Sequence, residues 1–232
     1  MQLTIERADL LKSLAHVQSV VERRNTIPIL SNVLLQAGDG KLAFTATDMD
    51  LSIVEEVSVG LDQAGSTTVP AHTFHDIVRK LPDGAQVALT MADGGAQMSL
   101  RAGRSTFSLA ALPREDFPDT GQDELPQRFL IPAAELKNLI DRTRFAISME
   151  ETRYYLNGIY LHATESGGDN VLRAVATDGH RLARFEMPLP ANAAGMPGVI
   201  VPRKTVGELR KLIEDNDGDI EISLSDTKIR FA

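Results

Sequence analysis

Apolar positions follow two rhythms along this chain. In four stretches they recur at helical spacing: Leu10, Leu14, Val17 and Val21; Phe74, Ile77, Val78 and Leu81; Leu136, Leu139 and Ile140; Val206, Leu209 and Ile213. Side chains three and four apart share one face of a helix, so each stretch predicts an amphipathic helix with one buried stripe. The helices open near residues 7, 71, 133 and 203. Three of them follow an apolar-Pro pair, Val69-Pro70, Ile131-Pro132 and Val201-Pro202. Proline suits the first helical position, where its missing N–H has no intrahelical partner to lose. Between the helices lie period-2 runs at Lys41–Ala46, Val87–Met91, Met98–Arg101 and Glu221–Leu224, bounded by Gly and Asp. These predict antiparallel strands with one covered face. The unit is strand, helix, several strands, used four times, and the fold class is α+β.

The pattern is also repeated on a longer period. Asn32, Thr47-Asp48 and Val69-Pro70 return in the same order as Asn157, Thr177-Asp178 and Val201-Pro202, at offsets of 125, 130 and 132 residues. Two copies of one module follow, residues 1–120 and 129–232, joined by a linker at 121–128. The linker sits in the irregular stretch from Pro113 to Arg128, rich in proline and acids. Met187 to Pro197 reads as a surface loop inside the second copy. Copy one continues past Leu100-Arg101 through Gly103–Leu109, while copy two stops at Lys228–Ala232. The second module is therefore expected to be incomplete, and the chain a fragment of something longer.

Composition changes this picture mainly through charge. The 232 residues include no Cys, which removes disulfides, thiolate metal sites and Cys nucleophiles and fits a reducing, cytoplasmic setting. No signal-peptide pattern opens the chain and no apolar run approaches the roughly 20 residues of a bilayer span, so no membrane partner is expected. The net charge of −8 speaks against a nucleic-acid partner if it is spread evenly. It is not. Residues 7–24, 71–82, 133–146 and 203–213 hold 13 Lys and Arg against 6 Asp and Glu, a net of +7, which leaves −15 for the rest. The outward faces carry Lys12, His16 and Arg23; His72, His75 and Arg79; Lys137, Asp141 and Arg144; Lys204, Glu208 and Lys211. Amphipathic helices always expose charge, but four with one sign bias predict a basic stripe on an acidic body. Such a stripe suits sequence-blind, salt-dependent contact with phosphates.

Catalytic motifs are missing: no phosphate-cradling glycine loop, nucleophile elbow or zinc-protease pair occurs. Asp48-Met49-Asp50 reads as a strand-end turn before a cation site. Asp215–Asp219 has its glycine in the wrong place for a calcium loop and predicts a hairpin turn. His72-x-x-His75 has no evident third ligand, and His180 beside Asp178 has no accompanying nucleophile. Two alternatives remain open on this basis: an acid-dependent enzyme using Asp48, Asp50 and Asp178, and a repeated-module adaptor that binds protein without DNA.

Several longer segments narrow the choice. Ala176–Ala183 (ATDGHRLA), Arg153–Gly158 (RYYLNG), Val201–Lys204, Thr26–Leu30, Gly103–Leu109 and Leu112–Pro118 closely resemble the bacterial DNA polymerase III beta-subunit family, the DNA sliding clamps. The similarity runs in order through all 232 residues. It implies the DNA clamp fold, with two helices and two small antiparallel sheets per domain. It also implies a head-to-tail homodimer ring around double-stranded DNA, non-catalytic and without a cofactor. The replicative polymerase subunit and other clamp-binding-motif proteins would be tethered by it, and a clamp loader would open it. The family's third domain is expected to be absent, so this chain alone should neither close a ring nor bind partner peptides well. Carried over by position, DNA contacts fall on Arg24, Tyr154 and Tyr155, with Lys12, Arg79, Lys137, Arg144, Arg203, Lys204 and Lys211 as further inner cations. Glu150 places an acid in that tyrosine loop, where it repels phosphate. The partner-peptide pocket falls on Leu156, Thr177, Gly179, His180, Arg181 and Leu182, and the protomer interface on Arg104, Phe107 and Leu109. Tyr155 reads equally well as core.

Overall fold

The computed structural model describes residues 1–92, 94–119, 124–150 and 152–232; residues 120–123, at the expected linker, lie outside them. The chain divides into two units, Met1–Gly121 and Gln122–Ala232. Unit 1 runs β1 (Gln2–Glu6), α1 (Arg7–Gln18), β2 (Asn32–Gly38), β3 (Lys41–Thr47), β4 (Ser52–Ser58), β5 (Gly60–Gln63), β6 (Gly65–Pro70), α2 (Ala71–Arg79), β7 (Gln86–Met91), β8 (Gln97–Ala102) and β9 (Ser105–Ala110). Unit 2 runs β10 (Gln127–Pro132), α3 (Ala133–Thr143), β11 (Gly158–Ser166), β12 (Asp169–Thr177), β13 (Leu182–Pro188), β14 (Val199–Pro202), α4 (Arg203–Leu212), β15 (Asp219–Leu224) and β16 (Ile229–Phe231). Short 3-10 turns precede β2 at Pro28–Ser31 and β11 at Tyr154–Leu156.

The repeat read from sequence is a repeat of topology. One sheet of unit 1 has the order β4-β3-β2-β6, and one of unit 2 the order β13-β12-β11-β14. The other sheets are β5-β1-β7-β8-β9 and β10-β15-β16, so β10, β15 and β16 stand where β1, β7 and β8 do. The strand ladders are antiparallel. In each unit two helices lay their apolar stripes against the sheets. Leu10, Leu14, Phe74 and Val78 meet Leu35, Phe44 and Leu89 in unit 1; Leu136, Leu139, Val206 and Leu209 meet Ile159, Leu161 and Ile222 in unit 2.

All four helices start where the pattern places them, but for a slightly different reason. Pro70, Pro132 and Pro202 are the last residues of β6, β10 and β14 and cap the helices from outside, with ψ of 113°, 135° and 150°. Each of these strands lies at a sheet edge, where a missing N–H costs no ladder bond. Helix α1 ends at Gln18 rather than running on to residue 24. The Ser19 hydroxyl donates to the His16 carbonyl at 2.7 Å and the chain turns, with Val20 and Val21 buried beyond the helix.

Three other expectations change. The two Asn residues are one residue out of register, because Asn32 pairs with Pro70 whereas Gly158 pairs with Pro202. A Cβ at Gly158 would sit 2.5 Å from the Val201 carbonyl oxygen, so the close approach of β11 and β14 at this point admits no side chain. His72 and His75 do not face outward. The ring of His72 meets Gln18 Oε1 at 3.0 Å and the Val21 carbonyl at 2.9 Å, stitching the end of α1 to α2, and burial pushes the His75 pKa down. Finally, the stretch after β13 is more than a surface loop, since Ala193 and Met196 are buried in the unit 2 core.

Candidate nucleic-acid and peptide-binding surfaces

The turn between β12 and β13 is built by two side chains. Thr177 Oγ1 donates to the Arg181 carbonyl at 2.7 Å and accepts from the Gly179 N–H at 3.1 Å. Asp178 Oδ1 accepts from the His180 and Arg181 N–H groups at 3.0 and 2.9 Å, and Asp178 Oδ2 accepts from Arg181 Nε at 2.9 Å. Gly179 has φ +89°, a conformation that glycine adopts without a Cβ clash. The same frame stands between β3 and β4. Thr47 Oγ1 donates to the Leu51 carbonyl and accepts from the Met49 N–H, and Asp48 Oδ1 accepts from the N–H groups of Asp50 and Leu51. Met49 takes the glycine's place at φ +82°. In both turns the aspartate after the threonine holds backbone, which is the turn reading of Asp48 and gives Asp178 the same role.

The Arg181 and His180 N–H groups hold the Asp178 carboxyl down to about 2, well below the ordinary 3.8. The bonds of the charged form are therefore complete above about pH 4 and are lost as pH falls towards about 2. Carbon-detected NMR titration is expected to place the Asp178 midpoint near 2, with the His180 and Arg181 amide shifts following it; a midpoint at the ordinary value would contradict this geometry.

Neighbouring segments complete a surface around this turn. The Arg181 guanidinium lies 5.6 Å from the Phe145 ring centroid. Gly179 faces Arg153, which ion-pairs with Glu150 at 3.0 Å. The structure thus brings Thr177, Gly179 and Arg181 beside the segment that leads to Leu156, with Leu156 half-buried and His180 and Leu182 exposed. The acid at Glu150 is answered by Arg153 rather than left bare. Phe145, exposed, belongs to the same surface through Arg181, and it and the exposed Met149 escaped the sequence reading. The signal was available: two large apolar residues in an irregular stretch where a helical stripe has ended. Tyr154 and Tyr155 meet edge to face at 5.6 Å and both are exposed, so Tyr155 is not core.

The expected cations divide by what already holds them. Lys12, Arg24 and Arg203 are exposed with no ion pair among the described residues, as are Arg23, Lys80 and Arg142. Lys80 and Arg142 were not singled out from sequence, although both stand at helix C-terminal ends, where cations are favoured. Arg79 pairs with Asp76 at 3.5 Å, Arg144 with Asp141 at 3.1 Å and Lys211 with Glu208 at 2.8 Å. Such partly exposed pairs contribute about 1 kcal/mol or less and can exchange an acid for a phosphate. Lys204 is half-buried.

Lys137 is different. Its ammonium donates to the Glu214 and Asn216 carbonyls at 2.5 and 3.2 Å, capping the chain just beyond α4. Arg7 does the same for α2, donating to the Val78 and Arg79 carbonyls at 3.3 and 2.9 Å. The first helix of each unit thus reaches across to the end of the second, and Lys137 has a structural contact beside the outward role expected of it. Lys137→Met is expected to lower stability by about 1–2 kcal/mol in urea unfolding, because two carbonyls lose a charged donor.

Strand β9 is an edge, as expected of an interface strand. Phe107 is 36% exposed, and Arg104 is exposed in the turn before β9. Leu109, however, is 3% exposed and belongs to the unit 1 core. The two side chains share one face of the strand, and within the chain the packing thins between them, which leaves Phe107 the more accessible member of the expected pair.

Comparison with known proteins agrees across both units. Residues 1–121 match the family model of the DNA polymerase III beta subunit, N-terminal domain, and residues 130–232 that of its central domain. The beta sliding clamp of Caulobacter vibrioides is 56% identical over 231 residues, and that of Escherichia coli 42%. The chain spans about 62% of the length of the curated Caulobacter relative. Among solved structures, a Caulobacter crescentus beta sliding clamp superposes at TM-score 0.97 with 56% identity, over all of this chain and 61% of that one. A Bartonella birtlesii sliding clamp, solved bound to griselimycin, superposes at 0.96 with 52% identity, over all of this chain and 62% of its own. With both units matched in order and in fold, the chain belongs to the DNA polymerase III beta subunit family.

Proposed function

We propose that this chain supplies the N-terminal and central domains of a DNA sliding clamp, a non-catalytic subunit of the replicative DNA polymerase. In this reading the whole protein closes as a homodimeric ring around double-stranded DNA and tethers polymerase and other clamp-binding partners. A clamp loader opens it, and no cofactor of its own is used. The observation that carries the proposal is continuous similarity to beta sliding clamps through both units, at up to 56% identity among the relatives compared. The exposed cations Lys12, Arg24, Lys80, Arg142 and Arg203 support it, because their chemistry grips phosphate without reading bases. No helix among the described residues is long and apolar enough to cross a membrane, and a cytoplasmic site of action is part of the same proposal.

The test is topological. The whole gene product, loaded onto nicked circular DNA by its loader, should be retained through gel filtration and lost once the circle is cut. Equal retention on circle and linear DNA would refute a sliding ring.

A further inference from the structure

Strand register makes the loop after the first helix comparable between the units. Asn32 pairs with Pro70 and Gly158 with Pro202, which sets corresponding positions 126 residues apart. The 3-10 turns obey the same offset, since Pro28 and Tyr154 both open them. Residues 19–27 of unit 1 then answer to 145–153 of unit 2. The first loop holds Glu22, Arg23 and Arg24, a net of +1; the second holds Glu150, Glu151 and Arg153, a net of −1. Arg24 stands where Glu150 does, and Arg23 where Met149 does. Arg24 is exposed with no ion pair among the described residues, whereas Glu150 faces a cation three residues on.

The unit 2 loop takes its shape from groups other than the Glu150 carboxylate. Ser148 Oγ accepts from the Glu150 N–H at 3.1 Å, and the Ser148 N–H donates to the Leu156 carbonyl at 3.0 Å. Asn157 Nδ2 donates to the Ser148 carbonyl at 2.9 Å, and the Arg153 N–H donates to the Glu150 carbonyl at 3.1 Å. The carboxylate itself meets Arg153, with Nε 3.0 Å from Oε2 and both side chains about half exposed. A solvated pair of this kind is weak enough for another anion to take the acid's place. The guanidinium fork suits phosphate oxygens as well as carboxylate oxygens.

We infer that Arg153 is a phosphate-binding cation of the unit 2 loop, held in reserve by Glu150. An approaching phosphate competes with the Glu150 carboxylate for the Arg153 guanidinium, and the displaced carboxylate stays close enough to repel it. The loop of unit 2 therefore adds little net grip on a duplex, while Arg24 at the matching position of unit 1 grips without a competitor. Glu150 acts as an electrostatic brake on affinity, which suits a protein that has to move along its duplex rather than stay on one site. Resting on the DNA reading proposed above, this assignment adds a cation that the exposed, unpaired set did not contain.

The probe is a short labelled duplex, titrated with the whole gene product across a salt series and followed by fluorescence anisotropy. Glu150→Gln is expected to bind about three- to tenfold more tightly at low salt, with the slope of log K against log salt steeper by about 0.9 as one cation is freed for phosphate. Adding Arg153→Gln to that variant should return both quantities to the parent's values. Thermal melts should not move, because the frame of the loop does not use either side-chain charge. Unchanged affinity and slope in Glu150→Gln would overturn the inference. So would a gain that survives in the double variant, since the acid would then act on phosphate without Arg153. Arg24→Ala in the same series reports on the DNA reading itself and should flatten the slope by about 0.9. If neither the parent nor Arg24→Ala shows salt-dependent binding, that reading falls and the role of Arg153 with it; failure of Glu150→Gln alone removes only the role of Arg153.

Discussion

Leu109→Ala is expected to destabilise the chain by about 2–5 kcal/mol, whereas Phe107→Ala, two residues earlier on the same strand face, costs about 1 kcal/mol or less. Leu109 is 3% exposed among Leu100, Met98 and their neighbours, so truncation leaves a cavity that a packed sheet closes only in part. Phe107 is 36% exposed at the open edge of β9 and loses little packing within its own chain. Urea unfolding of the two variants separates the roles. If the whole protein dimerises through this edge, Phe107→Ala weakens the dimer in analytical ultracentrifugation while the chain's own unfolding midpoint stays put. Equal destabilisation by both substitutions would place Phe107 in the core as well.

The second large effect concerns DNA. Replacing Lys12, Arg24, Lys80, Arg142 and Arg203 together by alanine in the whole gene product is expected to cut duplex affinity by about 10²–10³-fold at low salt. The slope of log K against log salt should become less steep by about 4.5, at about 0.9 per phosphate contact removed. The loss should be the same on any sequence, because phosphate contacts carry no base information. Fluorescence anisotropy across a salt series measures both quantities. An unchanged slope would mean that these helix-end and helix-face cations do not meet phosphates. Removing Lys137 or Arg7 instead should leave the slope alone and lower stability, since their donors are already committed to carbonyls.

Helix starts were legible in the sequence because an edge-strand proline and the onset of 3.6-residue periodicity coincide. The end of α1 was not. Val20 and Val21 continue the apolar rhythm after the Ser19 hydroxyl has already turned the chain, and periodicity registers burial rather than hydrogen bonding. The count of cations was legible, but their commitments were not: Lys137 meets carbonyls 77 and 79 residues away, a distance that no local window spans. The residues around Thr177–Arg181 were found by resemblance. Phe145 and Met149 were missed because exposed apolar residues outside regular elements carry no period to detect. Leu109 and Phe107 share a strand face, so parity could not say which lies inside the boundary of the core.

The twin turns at Thr47–Leu51 and Thr177–Arg181 bear on how the two copies could diverge. Beside one backbone bond across each turn, threonine and aspartate side chains supply the bonds that shape the loop, and the third position contributes its backbone to the architecture. That position is the apex, held at positive φ in both copies: a thioether meets solvent there in one copy, nothing at all in the other. A duplicated module with such a loop can alter what it displays at the tip while keeping the scaffold beneath, at the cost of holding a side chain in the left-handed region that glycine occupies without strain.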